Sequence, residues 1–231
     1  MFHRLLRGCG MRLTIVYDNE LFGESPDLET GWGFSCLIEV GELKILFDTG
    51  WKGAALVRNL EKLDFNVEDI DLVILSHQHW DHVGGLPCVM NQGRDLKIYV
   101  PASFSANMKR DIASEHVLFE VLDATKIVDG VYSTGELGSQ IKEQSIVLEG
   151  SKGFFVVTGC AHPGLDVILD AAGEFGLLYG VLGGFHGFDK YDALTGLDLI
   201  VPCHCTQHKK EIMDLFPDNT IFGGAGYRIE L

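Results

Sequence analysis

Four short apolar runs in this sequence each lead to a histidine: Asp71–Leu75 to His77, Phe154–Val157 to His162, Leu177–Leu182 to His186 and Leu197–Val201 to His204. Runs of this length, rich in valine, isoleucine and leucine, read as strands covered on both faces. Strand ends project side chains from a rigid scaffold into loops, where sites are built. The densest case is His77-Gln78-His79-Trp80-Asp81-His82, four potential ligands in six residues. Three histidines and an aspartate so placed would make a poor core and an odd solvent face. Imidazoles and a carboxylate, with no all-thiolate set, suit zinc, iron or manganese.

The rest of the chain interleaves strands and helices. Strands are expected at Met11–Tyr17, Lys97–Val100 and the runs above. Phe34–Val40 and Leu43–Phe47 read as a hairpin around Gly41-Glu42, and Ser145–Leu148 with Phe154–Thr158 as a second. Helical spacing covers Gly53–Leu63, Asp166–Ala172 and Lys209–Phe216, and Thr220–Phe222 and Tyr227–Glu230 read as closing strands. The two halves resemble each other coarsely, which suits two facing sheets with helices outside. No linker-like tract divides the chain. Residues 1–10 are expected to be an extension and residues 11–231 a single domain.

Composition narrows the partners. With 18 Lys+Arg against 33 Asp+Glu, the net charge of −15 argues against a dedicated nucleic-acid or anionic-membrane binder. A small anionic substrate stays compatible, because a bound metal dominates its local field. Six cysteines in 231 residues are too sparse for a disulfide scaffold and read as reduced thiols. No apolar run approaches the roughly 18 residues of a membrane span. The start, MFHRLLRGCG, lacks a signal-peptide apolar region, so the expected location is cytoplasmic and the expected partner a small-molecule substrate.

His77–His82 resembles the HxHxDH motif of the metallo-β-lactamase superfamily, and Asp48-Thr49-Gly50 its preceding motif. The strand–DTG–helix–strand–HxHxDH order agrees, and the likeness runs from Met11 to the C-terminus. The resemblance implies an α/β fold, a four-layer αβ/βα sandwich of two mixed sheets with helices on the outer faces. It also implies two divalent metal ions, with zinc expected and manganese or iron as alternatives. His77 and His79 then bind the first ion, and Asp81 and His82 the second. Asp48 supports the ligand loop from behind through hydrogen bonds. His162, in Thr158-Gly159-Cys160-Ala161-His162, is assigned to the first ion, and His204, in Pro202-Cys203-His204-Cys205, to the second. No Gly-Asp pair supplies the usual bridging aspartate, and Cys160 stands roughly in its place. Three alternatives stay open: a water or hydroxide alone bridges the ions, the second ion is weak, or the site is mononuclear.

The expected chemistry is hydrolysis of a small ester or phosphoester by metal-bound hydroxide. Asp81 is expected to hold that water, and His186 to stabilise an oxyanion or protonate a leaving group; the plain alternative for His186 is an ordinary loop histidine. Alternation along an extended segment puts Cys203 and Cys205 opposite His204, as buried thiols rather than ligands, and Cys160 is read the same way. Trp80 walls the site or packs under the loop, and His3, His116 and His208 carry no signal. The set TGCAHPG, GGFH and PCHCT resembles a branch that includes dihydropterin/ribofuranosyl-aminobenzene phosphate synthases. A pterin-related transferase is therefore the main alternative, with an iron oxygenase and a non-catalytic metal-binding protein behind it. One fold hosts many chemistries, so the shared motifs do not transfer the substrate.

Overall fold

A computed structural model of the chain describes residues 10–23 and 27–231. The expected extension at residues 1–10, Gly10 apart, lies outside the described residues. Strands β1 (Met11–Tyr17), β2 (Ser35–Val40), β3 (Leu43–Phe47), β4 (Leu72–Ile74), β5 (Lys97–Pro101), β6 (Val117–Val121) and β13 (Arg228–Glu230) make the first sheet. Its order is β13-β1-β2-β3-β4-β5-β6. Strands β7 (Thr125–Val128), β8 (Val131–Ser133), β9 (Ile146–Gly150), β10 (Gly153–Thr158), β11 (Leu178–Gly184) and β12 (Leu199–Cys203) make the second, in the order β12-β11-β10-β9-β8-β7. Each sheet is mixed: β1, β2 and β3 pair antiparallel and β3 to β6 parallel, while β7 to β10 pair antiparallel and β10 to β12 parallel.

The layers follow from strict alternation. Ile45 and Phe47 of β3, with Ile146 and Leu148 of β9, enter the core between the sheets, where Leu13, Phe155 and Val201 join them. Leu46 points the other way, into a second core under helices α1 (Gly53–Lys62), α3 (Leu86–Gln92) and α4 (Ala106–Glu115); the four-residue α2 (Trp80–Val83) lies between α1 and α3 in the chain. Val147 likewise faces a third core under α5 (Leu165–Gly173) and α6 (Lys209–Leu215). Because both faces of each sheet are covered, its central strands read as unbroken apolar runs. The fold is thus an α/β sandwich with helices outside.

Two differences from the sequence reading concern the margins. Thr220–Phe222 lies beside β12 but pairs through one bridge, Ile200 with Thr220, and is not a strand. Ile221 and Phe222 are each 41% exposed, so little packing holds them in the sheet. Strands β6 to β8 and helix α4 fill a stretch where the sequence carries no clear period. No helix among the described residues is long and apolar enough to cross a membrane.

Candidate metal centre

Loops leaving the C-terminal ends of β3, β4, β10, β11 and β12 carry the histidines and their supports. Side chains from the two sheets meet there: the His77 and His162 rings are 4.7 Å apart and the His82 and His204 rings 5.0 Å.

On the first sheet, Asp48 directly follows β3 and is fully buried. Its Oδ1 accepts the Ser76 N–H at 2.7 Å, and its Oδ2 accepts the Ser76 hydroxyl at 2.6 Å and faces His82 Nδ1 at 2.6 Å. Thr49 adds its N–H and hydroxyl, donated to the His82 carbonyl at 2.7 and 2.8 Å. With its Nδ1–H given to Asp48, His82 presents Nε2 as a lone pair, as metal-binding histidines do. Burial disfavours a charged His82, but the Asp48 carboxylate outweighs it and raises the pKa. A metal ion bound at Nε2 would take the place of that proton.

The first group of donors is His77, His79 and His162. His79 Nδ1 lies 3.1 Å from His77 Nε2 and 3.2 Å from His162 Nε2. A ring nitrogen has a single in-plane proton or lone pair and cannot serve both neighbours. A cation between them resolves the conflict, and the spacing suits nitrogens about 2.0–2.1 Å from one ion. Burial, reinforced by the neighbouring imidazoles, holds His77 well below its usual pKa and takes His162 down to about 4. Both are then neutral, the form that binds metals.

The second group is Asp81, His82, Cys160 and His204. Cys160 Sγ stands 3.1 Å from His82 Nε2, and Asp81 Oδ2 stands 3.3 Å from His204 Nε2 and 3.8 Å from His82 Nε2. His204 Nε2 is buried and makes no hydrogen bond. Burial alone would raise the pKa of Asp81, but His204 and His82 hold its carboxyl well below the usual range. Burial takes His204 down to about 4 against the opposing pull of Asp81. Two imidazoles, a carboxylate and a thiol form a donor set that a zinc-type ion accepts.

The second-sheet loops have their own supports. Glu143 is fully buried. Its Oε1 accepts the N–H groups of Gly159, Cys160 and Ala161 at 3.1, 2.9 and 3.0 Å and the Thr158 hydroxyl at 3.1 Å, and its Oε2 accepts the His162 N–H at 2.9 Å. The loop carrying Cys160 and His162 thus wraps around one carboxylate. Asp18 Oδ2 accepts the His204 N–H at 3.0 Å, and burial pushes the Asp18 carboxyl up to about 7. Asn19 Oδ1 meets His204 Nδ1 at 3.1 Å, which leaves Nε2 for the cluster. Asp48, Ala161, His186 and His204 all have left-handed backbone, with φ between 47° and 58°. Such residues are uncommon outside glycine, and they gather where structure pays for strain at sites.

His186 belongs to neither donor group. It is exposed, its ring lies 5.0 Å from that of His162, and it borders a cavity of about 260 Å³ walled by Phe185 and Phe188, with Asp166 and Lys190 also lining it. Trp80 is 69% exposed and does not pack beneath the ligand loop.

Cys160 is buried, as read, and its sulfur stands among the second group of donors. One cysteine reading is corrected. Cys203 and Cys205 do not share a face: Cys203 lies in the core between the sheets, whereas Cys205 Sγ meets Cys160 Sγ at 3.3 Å. The left-handed turn at His204, φ 48°, breaks the alternation that would have placed both opposite it. Sequence reasoning missed Glu143, Ser76, Asp18 and Asn19. Asp18-Asn19 directly after the apolar strand Met11–Tyr17 was a readable signal, since it repeats the pattern of polar residues at a strand end.

Comparison with known proteins identifies the fold and the family. A 7,8-dihydropterin-6-methyl-4-(beta-D-ribofuranosyl)-aminobenzene-5'-phosphate synthase of Methanocaldococcus jannaschii is 26% identical, over 78% of this chain and 83% of its own. An uncharacterized protein of the same organism, MJ0448, is 28% identical over 84% of this chain and 91% of its own. The fold matches the crystal structure of Tm1679, described as a metal-dependent hydrolase of the beta-lactamase superfamily, with a TM-score of 0.76 over 96% of this chain and 99% of that one at 24% identity. The sequence profile of the metallo-beta-lactamase superfamily matches residues 33–180, and this chain belongs to that superfamily.

Proposed function

We propose that the chain is a hydrolase with two zinc ions, acting on a small ester or phosphoester in the cytoplasm. The observation that carries this reading is the pair of donor groups side by side, His77, His79 and His162 next to Asp81, His82, Cys160 and His204. The first set is proposed to hold one ion and the second set, Cys160 included, the other. The thiol favours zinc over magnesium or calcium. Bound zinc supplies a nucleophile at neutral pH, by lowering the pKa of a coordinated water to about 7, and polarises a carbonyl or phosphoryl oxygen.

The protein's own groups do the rest. Asp48 and Glu143 keep the two ligand loops from rearranging when a substrate arrives. Asp81, 14% exposed at its side chain, accepts a hydrogen bond at the mouth of the cluster. His186, on the cavity beside His162, hands a proton to the leaving group from its imidazole. Phe185 and Phe188 give that cavity apolar walls, so one part of the substrate is apolar.

The synthase relative supports a second reading, a transferase that condenses an activated pterin with an aromatic amine, with release of diphosphate. Elemental analysis and substrate screening separate the two. Hydrolysis predicts about two zinc ions per chain and turnover of nitrophenyl esters or phosphoesters, falling at least about 100-fold in His79→Ala. Diphosphate release from a pterin-methyl diphosphate, without turnover of simple esters, replaces the hydrolase by the transferase. A chain that holds no metal after reconstitution overturns both.

A further inference from the structure

The Cys160–Cys205 contact plays no part in the proposed hydrolysis. Cys160 follows β10 and Cys205 follows β12, on either side of β11, and their sulfurs stand 3.3 Å apart. Gly184, the last residue of β11, lies between the two loops and makes that meeting possible. A Cβ on Gly184 would come within 2.7 Å of Cys205 Sγ and 2.5 Å of the Gly159 carbonyl. Any larger residue there would part the loops. The Cys160 sulfur is also 3.1 Å from His82 Nε2, among the second group of donors. One sulfur therefore faces two partners, a metal position and a second thiol. Cys205 is partly exposed and open to a small reagent, whereas Cys160 behind it is buried. Cys36 and Cys203 are buried in the core between the sheets, and the partly exposed Cys88 stands in neither donor group.

We infer that Cys160 and Cys205 are a reversible disulfide site that controls occupancy of the second metal position. The inference rests on the reading of Cys160 as a donor to the second ion. The oxidant is a low-molecular-weight disulfide, R–S–S–R. The Cys205 thiol loses its proton and attacks one sulfur, forming a mixed disulfide and releasing the first RSH. The Cys160 sulfur then attacks Cys205 Sγ, closes the internal bond and releases the second RSH. Two protons and two electrons leave the protein and end on two thiols. Closure brings the sulfurs to about 2.05 Å and takes the negative charge from Cys160, so the second position keeps only Asp81, His82 and His204. A dithiol reductant reverses the change.

The test uses the full chain loaded with zinc and equilibrated with oxidised glutathione. Peptide mapping under non-reducing conditions, intact mass and zinc per chain after gel filtration are read together. The expected result is a Cys160–Cys205 peptide, a loss of two hydrogens and a fall from about two zinc ions to about one, restored by dithiothreitol. Cys205→Ser is expected to keep its zinc under the same oxidant, and Cys205→Ala repeats the test without a hydroxyl. No disulfide between these two cysteines, or equal zinc loss from wild type and both Cys205 variants, overturns the switch. Reduced Cys160→Ser tests the underlying reading separately. A full zinc count in that variant removes Cys160 from the donor set, whether or not the disulfide forms.

Discussion

The two halves of the centre solve the same problem differently. On the first sheet the donors are contiguous: His77, His79, Asp81 and His82 come from the loop after β4 and the short α2 that continues it, and Asp48 grips that segment through an imidazole and Ser76. On the second sheet each loop delivers its own donors, and Glu143 grips the loop after β10 through four consecutive backbone N–H groups. A dense motif brings its donors together by local geometry. Dispersed donors need buried acceptors elsewhere in the chain to set the backbone. Both halves rest on a fully buried carboxylate, but Asp48 orients a donor while Glu143 shapes the loop that carries donors.

Removing Glu143 should therefore have the largest effect. Glu143→Ala leaves the N–H groups of residues 159–162 without acceptors, three of them buried. At about 1–3 kcal/mol for each buried unsatisfied group, the three cost about 3 kcal/mol or more before the loop relaxes. Urea unfolding should read that loss, together with weakened binding at both metal positions, because Cys160 and His162 share the loop. Glu143→Gln keeps one acceptor oxygen for three of the amides but turns an N–H donor toward that of His162, so its loss should be smaller. A Glu143→Ala protein within about 1 kcal/mol of wild type would show that the loop holds itself.

Asp48→Asn comes next and sharpens the contrast. The side chain keeps its shape but loses the charge-assisted acceptor that faces His82 Nδ1, a bond worth about 1.5–3 kcal/mol. Zinc titration should show weaker binding at the position served by His82 and little change at His77, His79 and His162. Equal weakening of both positions would mean that Asp48 shapes the whole loop, and the distinction from Glu143 would fall.

The same contrast explains what could be read from the sequence. The central strands were legible because sheets covered on both faces leave unbroken apolar runs such as Leu72–Ile74. The edge strands were not: β6, with mostly exposed residues and a single buried one, has no period to detect. The motif residues His77 to His82 and Asp48 were legible because they are close in sequence and match a known pattern. Glu143 was not, since an isolated glutamate before an apolar strand looks like any solvent-facing charge. Its role depends on a fold in which the loop after β10 curls back over it. The left-handed turns at Ala161, His186 and His204 were equally hidden, because none of these residues is a glycine. The turn at His204 is what separated Cys205 from Cys203 and brought it to Cys160.

His186 gives the smallest expected effect on metal and stability. It follows a buried strand just as His77, His162 and His204 do, yet its sequence reading is a proton-handling or plain loop histidine rather than a ligand. Its ring lies beside His162 at 5.0 Å, on the exposed side facing the cavity. His186→Ala should keep the wild-type zinc count and unfold within about 0.5 kcal/mol of wild type, as exposed substitutions do. Hydrolysis alone should fall, by about 10²-fold if the imidazole hands over a proton at the rate-limiting step. Loss of one zinc ion from this variant would enlarge the donor set and end the separation between loops that hold metal and a loop that meets substrate. Unchanged turnover would reduce His186 to part of the cavity wall.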